Sequence, residues 1–440
     1  MLEKVFKLKE KGTDVKTEII AGITTFLAMA YILFVNPSIL SETGMSFDGV
    51  FFATAIASAF ASIMMGVLAN YPVALSAGMG VNAFFAYTVV LGLGYSYEAA
   101  LAAVFVSGMI FILISVTNLR KMVINSIPKN MKFAIGSGIG FFIAFIGFKN
   151  AGIIVSNPAT FVSIGSLKDP TVLLAIIGLF ITIALLTRKV PAAVFWGLVA
   201  TSIIGVIMNF MGLGEGLPAL PTNIIAVEFD TSLVGSFSKG FGELFSSPVS
   251  AAVIIFSFLF VDFFDTAGTL VAVGNDIGLV NEDGELVDVE KALLSDSVGT
   301  VVGAFLGTST ITSFVESGSG VAAGGRTGLT AVTTGVLFIF SIFFSPLLSV
   351  VTNAVTAPAL IVVGILMAQQ LKEIEWNDIA VATPAFITII VMILGYSISD
   401  GIATGFLFYT ITMLASNRHK EIQPVVYILD LIFLLYFFTK

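Results

Sequence analysis

The sequence predicts an all-α, polytopic membrane protein with 14 transmembrane segments in a 7+7 inverted repeat. Three observations carry that prediction. Of 440 residues, 57% are hydrophobic and 11% are charged, whereas a soluble domain carries about 25% charged residues. The apolar residues fall in runs near the roughly 20 that a helix needs to cross about 30 Å of hydrocarbon. Two runs are interrupted by glycine at corresponding places in the two halves of the chain, a pattern that points to a transporter binding site.

Composition removes several kinds of chemistry. There is no cysteine, so disulfides, thiolate metal sites and cysteine nucleophiles are excluded. The one histidine, His419, lies in a polar tail and offers neither a metal cluster nor a buried proton relay. No metal or cofactor is expected. The net charge of −8, owed largely to an acidic loop at 276–290, argues against a nucleic-acid partner. The N-terminal stretch is charged, and the first apolar run ends in Asn36-Pro37, so no cleavable signal peptide is expected.

The segments are placed at about 17–40, 50–69, 80–91, 98–118, 131–148, 170–187 and 191–211 in the first half. In the second half they lie at about 249–271, 290–307, 318–325, 327–347, 352–369, 378–395 and 398–416. Two of these, 80–91 and 318–325, are too short to span. Each follows a short extended stretch and a glycine break, as a half-helix would. A further apolar stretch, 425–438, contains Asp430 and reads as an interfacial helix or a packed tail. With the N-terminus inside, only Lys149, Lys168 and Lys239 of the 20 Lys and Arg residues fall outside, leaving 20 − 3 = 17 on the cytoplasmic side. Arg120, Lys121 and Lys440 are among those 17. Seven segments in each half is an odd number, so the second half must be inverted.

Acids within apolar runs are costly and are functional candidates by default. Asp262, Asp265 and Glu316 qualify. Asp262 and Asp265 are three apart and share a helix face. Helix packing through Ser or Thr hydrogen bonds is the competing reading, above all for Asp262. Glu316 stands where the second half-helix begins, close to free N–H groups and a positive dipole end; it either meets substrate there or caps the helix. At the first break the candidates are Asn82 and the backbone of Gly78–Gly80, with close helix packing as the alternative for the glycines. The Gly136-Ser137-Gly138-Ile139-Gly140 run reads as packing. Arg326 reads as a group that caps carbonyls or pairs with an acid, with a direct substrate role as the alternative.

Two carboxylates at the ends of broken helices suit a neutral ligand rich in N–H donors and repel an anion. A purine base presents such donors in one plane, and Phe314 or Phe84 could stack on it. A buried carboxylate can also carry a coupling proton, and with no membrane histidine an Asp or Glu must do so.

Four stretches resemble the AzgA-like purine permeases, the adenine/guanine/hypoxanthine branch of the nucleobase–cation symporter-2 (nucleobase:ascorbate transporter) superfamily. They are Ala21-Gly22-Ile23-Thr24-Thr25-Phe26 through Asn36-Pro37, Ala77-Gly78-Met79-Gly80-Val81-Asn82, Val261-Asp262-Phe263-Phe264-Asp265-Thr266-Ala267-Gly268, and Glu316-Ser317-Gly318 followed by Gly324-Gly325-Arg326-Thr327-Gly328. Where many members of that family have proline in the third span, this chain has Ala77. The resemblance implies a core domain from 14–118 (spans 1–4) and 249–347 (spans 8–11). It implies a gate domain from 131–211 (spans 5–7) and 352–416 (spans 12–14), followed by a tail at 417–440. It implies substrate capture by Asp265 and Glu316 with Asn82 and Gly80 from the third span; Phe314 and Ser317 complete the candidate set. Asp265, Glu316 and Asp262 are the candidates for proton coupling. Also implied are purine–proton symport across the cell membrane, an elevator-like movement of the core and a homodimer. The alternative on the same fold is a uracil/xanthine or anion transporter. An intramembrane aspartyl protease would need a Gly-x-Gly-Asp element, which is absent, and no filter repeat suggests a channel.

Overall fold

The computed structural model describes residues 2–117, 128–221, 223–226, 229–277, 286 and 288–439. Arg120, Lys121, Lys440 and most of the 276–290 loop lie outside the described residues.

Helix boundaries follow from capping residues set between apolar runs. Asp14 caps Val15–Met29 (α1), accepting from the Thr17 amide. After a break at Ala30-Tyr31 the first span continues as Ile32–Leu40 (α2). Ser46 caps Phe47–Met64 (α3). The half-helix Met79–Ala83 (α4) follows, and Ser96 caps Tyr97–Val116 (α5). Lys129–Asn150 (α6), Pro170–Thr187 (α7) and Ala193–Phe210 (α8) complete the first half. Asp169 caps α7 ahead of Pro170, whose missing N–H and fixed φ suit the first helical position.

The second half opens with Pro248–Asp276 (α9) and Val289–Leu306 (α10). The second half-helix is Ser317–Ala322 (α11), and Thr327 precedes Gly328–Ser341 (α12). Asn353–Ala368 (α13), Ile379–Leu394 (α14) and Ile398–Ala415 (α15) follow. Among the described residues, ten helical stretches are long and apolar enough to cross a bilayer, and shorter apolar helices accompany them. All 14 expected segments are therefore helical, two of them as half-helices.

The helices pack in two groups. In one, α1, α2, α3, α5, α9, α10, α11 and α12 contact one another. In the other, α6, α7, α8, α13, α14 and α15 do. Small residues permit the closest approaches. A Cβ on Gly140 of α6 would lie 2.6 Å from Met367 Cβ and 2.9 Å from the Gly364 carbonyl of α13. The glycine run in α6 thus serves helix packing.

Both short helices are preceded by extended chain. Leu75–Ala77 (β1) pairs antiparallel with Ile311–Ser313, in the register Leu75↔Ser313, Ser76↔Thr312 and Ala77↔Ile311. Every residue of both strands is buried. Backbone polar groups at this depth need protein partners, and each strand supplies them to the other.

One feature differs from the sequence expectation. Residues between the fifth and sixth spans form a hairpin, Ile154–Asn157 (β2) with Phe161–Ile164 (β3), which hydropathy did not reveal; the 311–313 strand is therefore β4. The tail stretch is a helix, Pro424–Thr439 (α16), packed against α9 and α15. Phe433 lies 5.9 Å from the rings of both Phe256 on α9 and Phe406 on α15.

Candidate functional site

The polar groups collect where α9, α10, β4, α11 and the α1–α2 break meet. The extended β4 segment turns at Phe314 and Val315 and delivers Glu316 to the start of α11. Glu316 makes no capping hydrogen bond to α11. Its Oε1 instead accepts a 2.6 Å hydrogen bond from the Tyr31 hydroxyl, in the break between α1 and α2. The capping alternative for Glu316 is therefore not what the side chain does.

Asp265 projects from α9 within electrostatic reach of Glu316 and has an accessible side chain. Thr312 Oγ1 approaches its Oδ2 at 3.4 Å. Beside these acids the protein is open. A Cβ built on Gly268, three residues along α9, meets no atom within 4 Å, and neither does one on Gly318. Val315 is 57% exposed. Open space thus lies beside both carboxylates.

The other predicted residues are buried nearby in the chain or in the core. Ser317 is buried, and its Oγ accepts the Ala74 amide at 3.0 Å, tying α11 to the chain ahead of β1. The Phe314 amide donates to the Ala74 carbonyl at 3.0 Å, and its ring is buried. Asn82 is fully buried; its Oδ1 accepts from Ser309, while its Nδ2 has no protein partner. A Cβ on Gly80 would meet Ile139 Cγ2 of α6 at 2.6 Å, so this glycine brings α4 close to the other helix group. Phe84 packs edge-on against Phe258 at 4.7 Å in the core. The structure therefore brings Asp265 within electrostatic reach of Glu316 and leaves Phe314 and Ser317 beside Glu316 in the chain, whereas Gly80 and Asn82 are buried against Ile139 and Ser309.

Asp262 is buried one turn before Asp265, and its Oδ2 accepts from Thr300 of α10 at 2.9 Å. Three functional candidates were missed in the sequence. Tyr31 sits in an apolar run where a tyrosine attracts no notice. Asp296 is fully buried in α10 and accepts from Thr266 and, at 3.3 Å, from Ser313. It lies near Asp288, Glu290 and Lys291, which makes it look like part of a solvated loop; its position two turns into the helix was the available signal. Glu18 is fully buried although it lies in the charged N-terminal stretch. Its carboxylate accepts from the amides of Arg326 (2.8 Å), Thr327 (3.3 Å) and Thr330 (3.2 Å) and from the Thr330 hydroxyl (2.6 Å). That is an anion at the positive end of α12. Arg326 Nη1 donates to the carbonyls of Val321 and Gly325, both at 2.7 Å, and so closes the end of α11.

A separate cavity of about 460 Å³ is lined by Asp48, Phe52, Phe229, Asp230 and Pro346. Neither Asp265 nor Glu316 lines it, so it is not the site described here.

Fold and site together define a multi-pass membrane transport protein, with its ionisable groups gathered at interrupted spans. Residues 16–404 match the sequence family described as the permease family, and the chain belongs to that family. Its relatives include the guanine/hypoxanthine permease PbuG of Bacillus subtilis (strain 168), 49% identical over 99% of each chain. The adenine permease AdeP of Escherichia coli (strain K12) is 44% identical, over 99% of this chain and 95% of that one. Among solved structures, the transmembrane domain of the cyanobacterial bicarbonate transporter BicA superposes with a TM-score of 0.64 at 16% identity, covering 88% of this chain and 96% of that one. That likeness concerns the fold alone.

Proposed function

We propose that this chain is a proton-coupled symporter that imports purine nucleobases (adenine, guanine or hypoxanthine) across the cell membrane. The observation that carries the reading is the open space flanked by Asp265 and Glu316. Two acids beside one opening repel anions and accept hydrogen bonds from a planar base bearing ring and exocyclic N–H groups. That favours a purine over an anion such as the one named for the solved bicarbonate transporter. The names of the guanine/hypoxanthine and adenine permeases above support the same substrate class.

The two helix groups support a core domain (14–118 and 249–347) that carries the site and a gate domain (131–211 and 352–416) that faces it. In this reading the core moves against the gate as an elevator, the N-terminus is cytoplasmic and two copies form a homodimer. Asp265 and Glu316 contact the base, Tyr31 orients Glu316, and Gly80, Asn82, Phe314 and Ser317 shape the walls. The test is competition uptake in cells lacking their own purine carriers, using labelled hypoxanthine against a panel of purines, pyrimidines and anions. Purines alone are expected to compete, with uptake driven by an inward proton gradient. Uracil or bicarbonate transport without purine transport would overturn the reading.

A further inference from the structure

Behind the opening, α9 and α10 exchange hydrogen bonds in a crossed pattern. Thr300 of α10 donates to Asp262 of α9, and Thr266 of α9 donates to Asp296 of α10. On each helix the acid and the threonine are four residues apart, one turn on one face. Each acid therefore bonds the threonine that lies one turn beyond the opposite acid. Asp262 is 1% exposed and Asp296 is 0% exposed. Each keeps one carboxylate oxygen, Oδ1, without a hydrogen-bond partner. Among the described residues neither forms an ion pair.

Hydrogen bonds from two threonines satisfy one oxygen of each acid and neutralise neither charge. Two carboxylates in one low-dielectric site do not both remain ionised. A proton taken up by one acid relieves the pair's uncompensated charge without any further ligand. We infer that Asp262 and Asp296 together form a proton-holding site, distinct from the two acids at the opening, and that its occupancy sets the position of β4 and Glu316.

The link to the opening is short. Thr266 adjoins Asp265 in sequence, and its Oγ1 also accepts the Ser313 amide at 3.1 Å. The Ser313 hydroxyl donates to Asp296. Thr300 accepts the Ile311 amide at 3.1 Å. Both ends of β4 are thus held by the crossed pattern, three residues before Glu316. A hydrogen bond to an ionised carboxylate is stronger than one to a neutral carboxyl. Proton uptake at Asp296 weakens the hold on Ser313, and proton release restores it.

Of the helices packed against α9, α6 carries Lys129, Lys132 and Lys149, α15 carries Asp400 and Tyr409, and α16 carries Tyr427, Asp430 and Tyr436. β1 and β4 carry no ionisable side chain, α3 carries Asp48 and α5 carries Tyr97 and Glu98, all in the first helical turn. On α10, Glu290 and Lys291 lie at its start, and Lys239 belongs to the turn packed at its other end. On α9, Asp265 faces the opening, and Lys132 Nζ lies 4.7 Å from the centre of the Phe264 ring, about 200° around the helix from Asp262. Glu316 is held by Tyr31.

This inference rests on the proposed purine–proton symport. Its test compares Asp296→Asn with wild type in membrane vesicles, measuring hypoxanthine exchange at equal pH on both sides and net uptake with an acid or a neutral outside medium. Exchange is expected to survive, while the acid-to-neutral ratio of net uptake falls to about one, the value for no coupling. Unchanged pH dependence would overturn the inference, as would loss of exchange together with net uptake in protein that reaches the membrane normally. Loss of a sodium dependence in place of a pH dependence would overturn the choice of proton. Asp262→Asn asks the same question from the other helix, and failure of both asparagine variants to insert would assign the pair a purely structural role. A wild type that transports no purine, or shows no proton dependence, would instead refute the functional reading.

Discussion

The hydroxyl of Tyr31 donates a 2.6 Å hydrogen bond to Glu316 across 285 positions of sequence. It fixes one carboxylate oxygen of Glu316 from the break in the first span. A hydrogen bond to a charged group is worth about 1.5–3 kcal/mol. Tyr31→Phe removes that donor and little else. Its Kd for purine is expected to rise about tenfold or more, measured by equilibrium binding to purified protein. An unchanged Kd would remove Tyr31 from the site.

Asp265→Ala and Glu316→Ala are each expected to abolish purine binding in protein that reaches the membrane normally. Neither makes an ion pair among the described residues, and Asp265 has only a long contact from Thr312, so loss of fold is not the expected outcome. Normal binding by both variants would place the substrate elsewhere.

Gly80 distinguishes packing from ligand contact. Its missing side chain leaves room for Ile139 on α6. Gly80→Ala should overpack that contact at a cost of about 1–3 kcal/mol and slow uptake. If packing is the cause, Gly80→Ala combined with Ile139→Ala recovers both the melting temperature and the uptake rate. A glycine required for close approach of substrate would show no such recovery.

Glu18 anchors the start of α12 through three amides and a hydroxyl. Glu18→Ala leaves those buried donors unpartnered, and each such group costs about 1–3 kcal/mol. A lower melting temperature in detergent is expected, with purine Kd unchanged in the surviving folded protein. An unshifted melting temperature would show that water replaces the carboxylate.

Arg418 joins a half-buried and an exposed acid, Asp378 and Glu421, outside the spans. It donates to Glu421 through Nε and Nη2, both at 2.7 Å, and to Asp378 through Nη1. Those hydrogen bonds hold both carboxyls below their ordinary values. A lowered folded-state value gives a contribution that is complete above the ordinary carboxylate range and is lost as pH falls through the lowered values. Arg418→Gln should therefore reduce the melting temperature at neutral pH, and the difference from wild type should shrink below about pH 4. A difference that persists in strong acid would show that the arginine acts by packing.

The spans were legible because lipid demands long apolar runs, and the interruptions because glycine and extended chain stand out within them. Asp265 and Glu316 were legible for the same reason: an acid in an apolar run has few explanations. Glu18 and Asp296 were not. Each stands close to other charges in sequence, and burial comes from residues brought over from elsewhere, from 326–330 for Glu18 and from Thr266 and Ser313 for Asp296. Tyr31 was hidden by its own amphipathic character, since a tyrosine fits an apolar run until its hydroxyl finds a partner. The β2–β3 hairpin arises from backbone pairing that hydropathy does not register.

The pairing of β1 with β4 also constrains biosynthesis. β1 emerges from the ribosome more than 200 residues before the strand that satisfies its backbone. Until then the first interrupted span has polar groups that hydrocarbon cannot satisfy. It must wait in a watery or protein-lined setting while the first half is inserted. Chains truncated before residue 311 should consequently leave 71–90 accessible to protease or to modifying reagents, whereas chains extended through α12 should protect it.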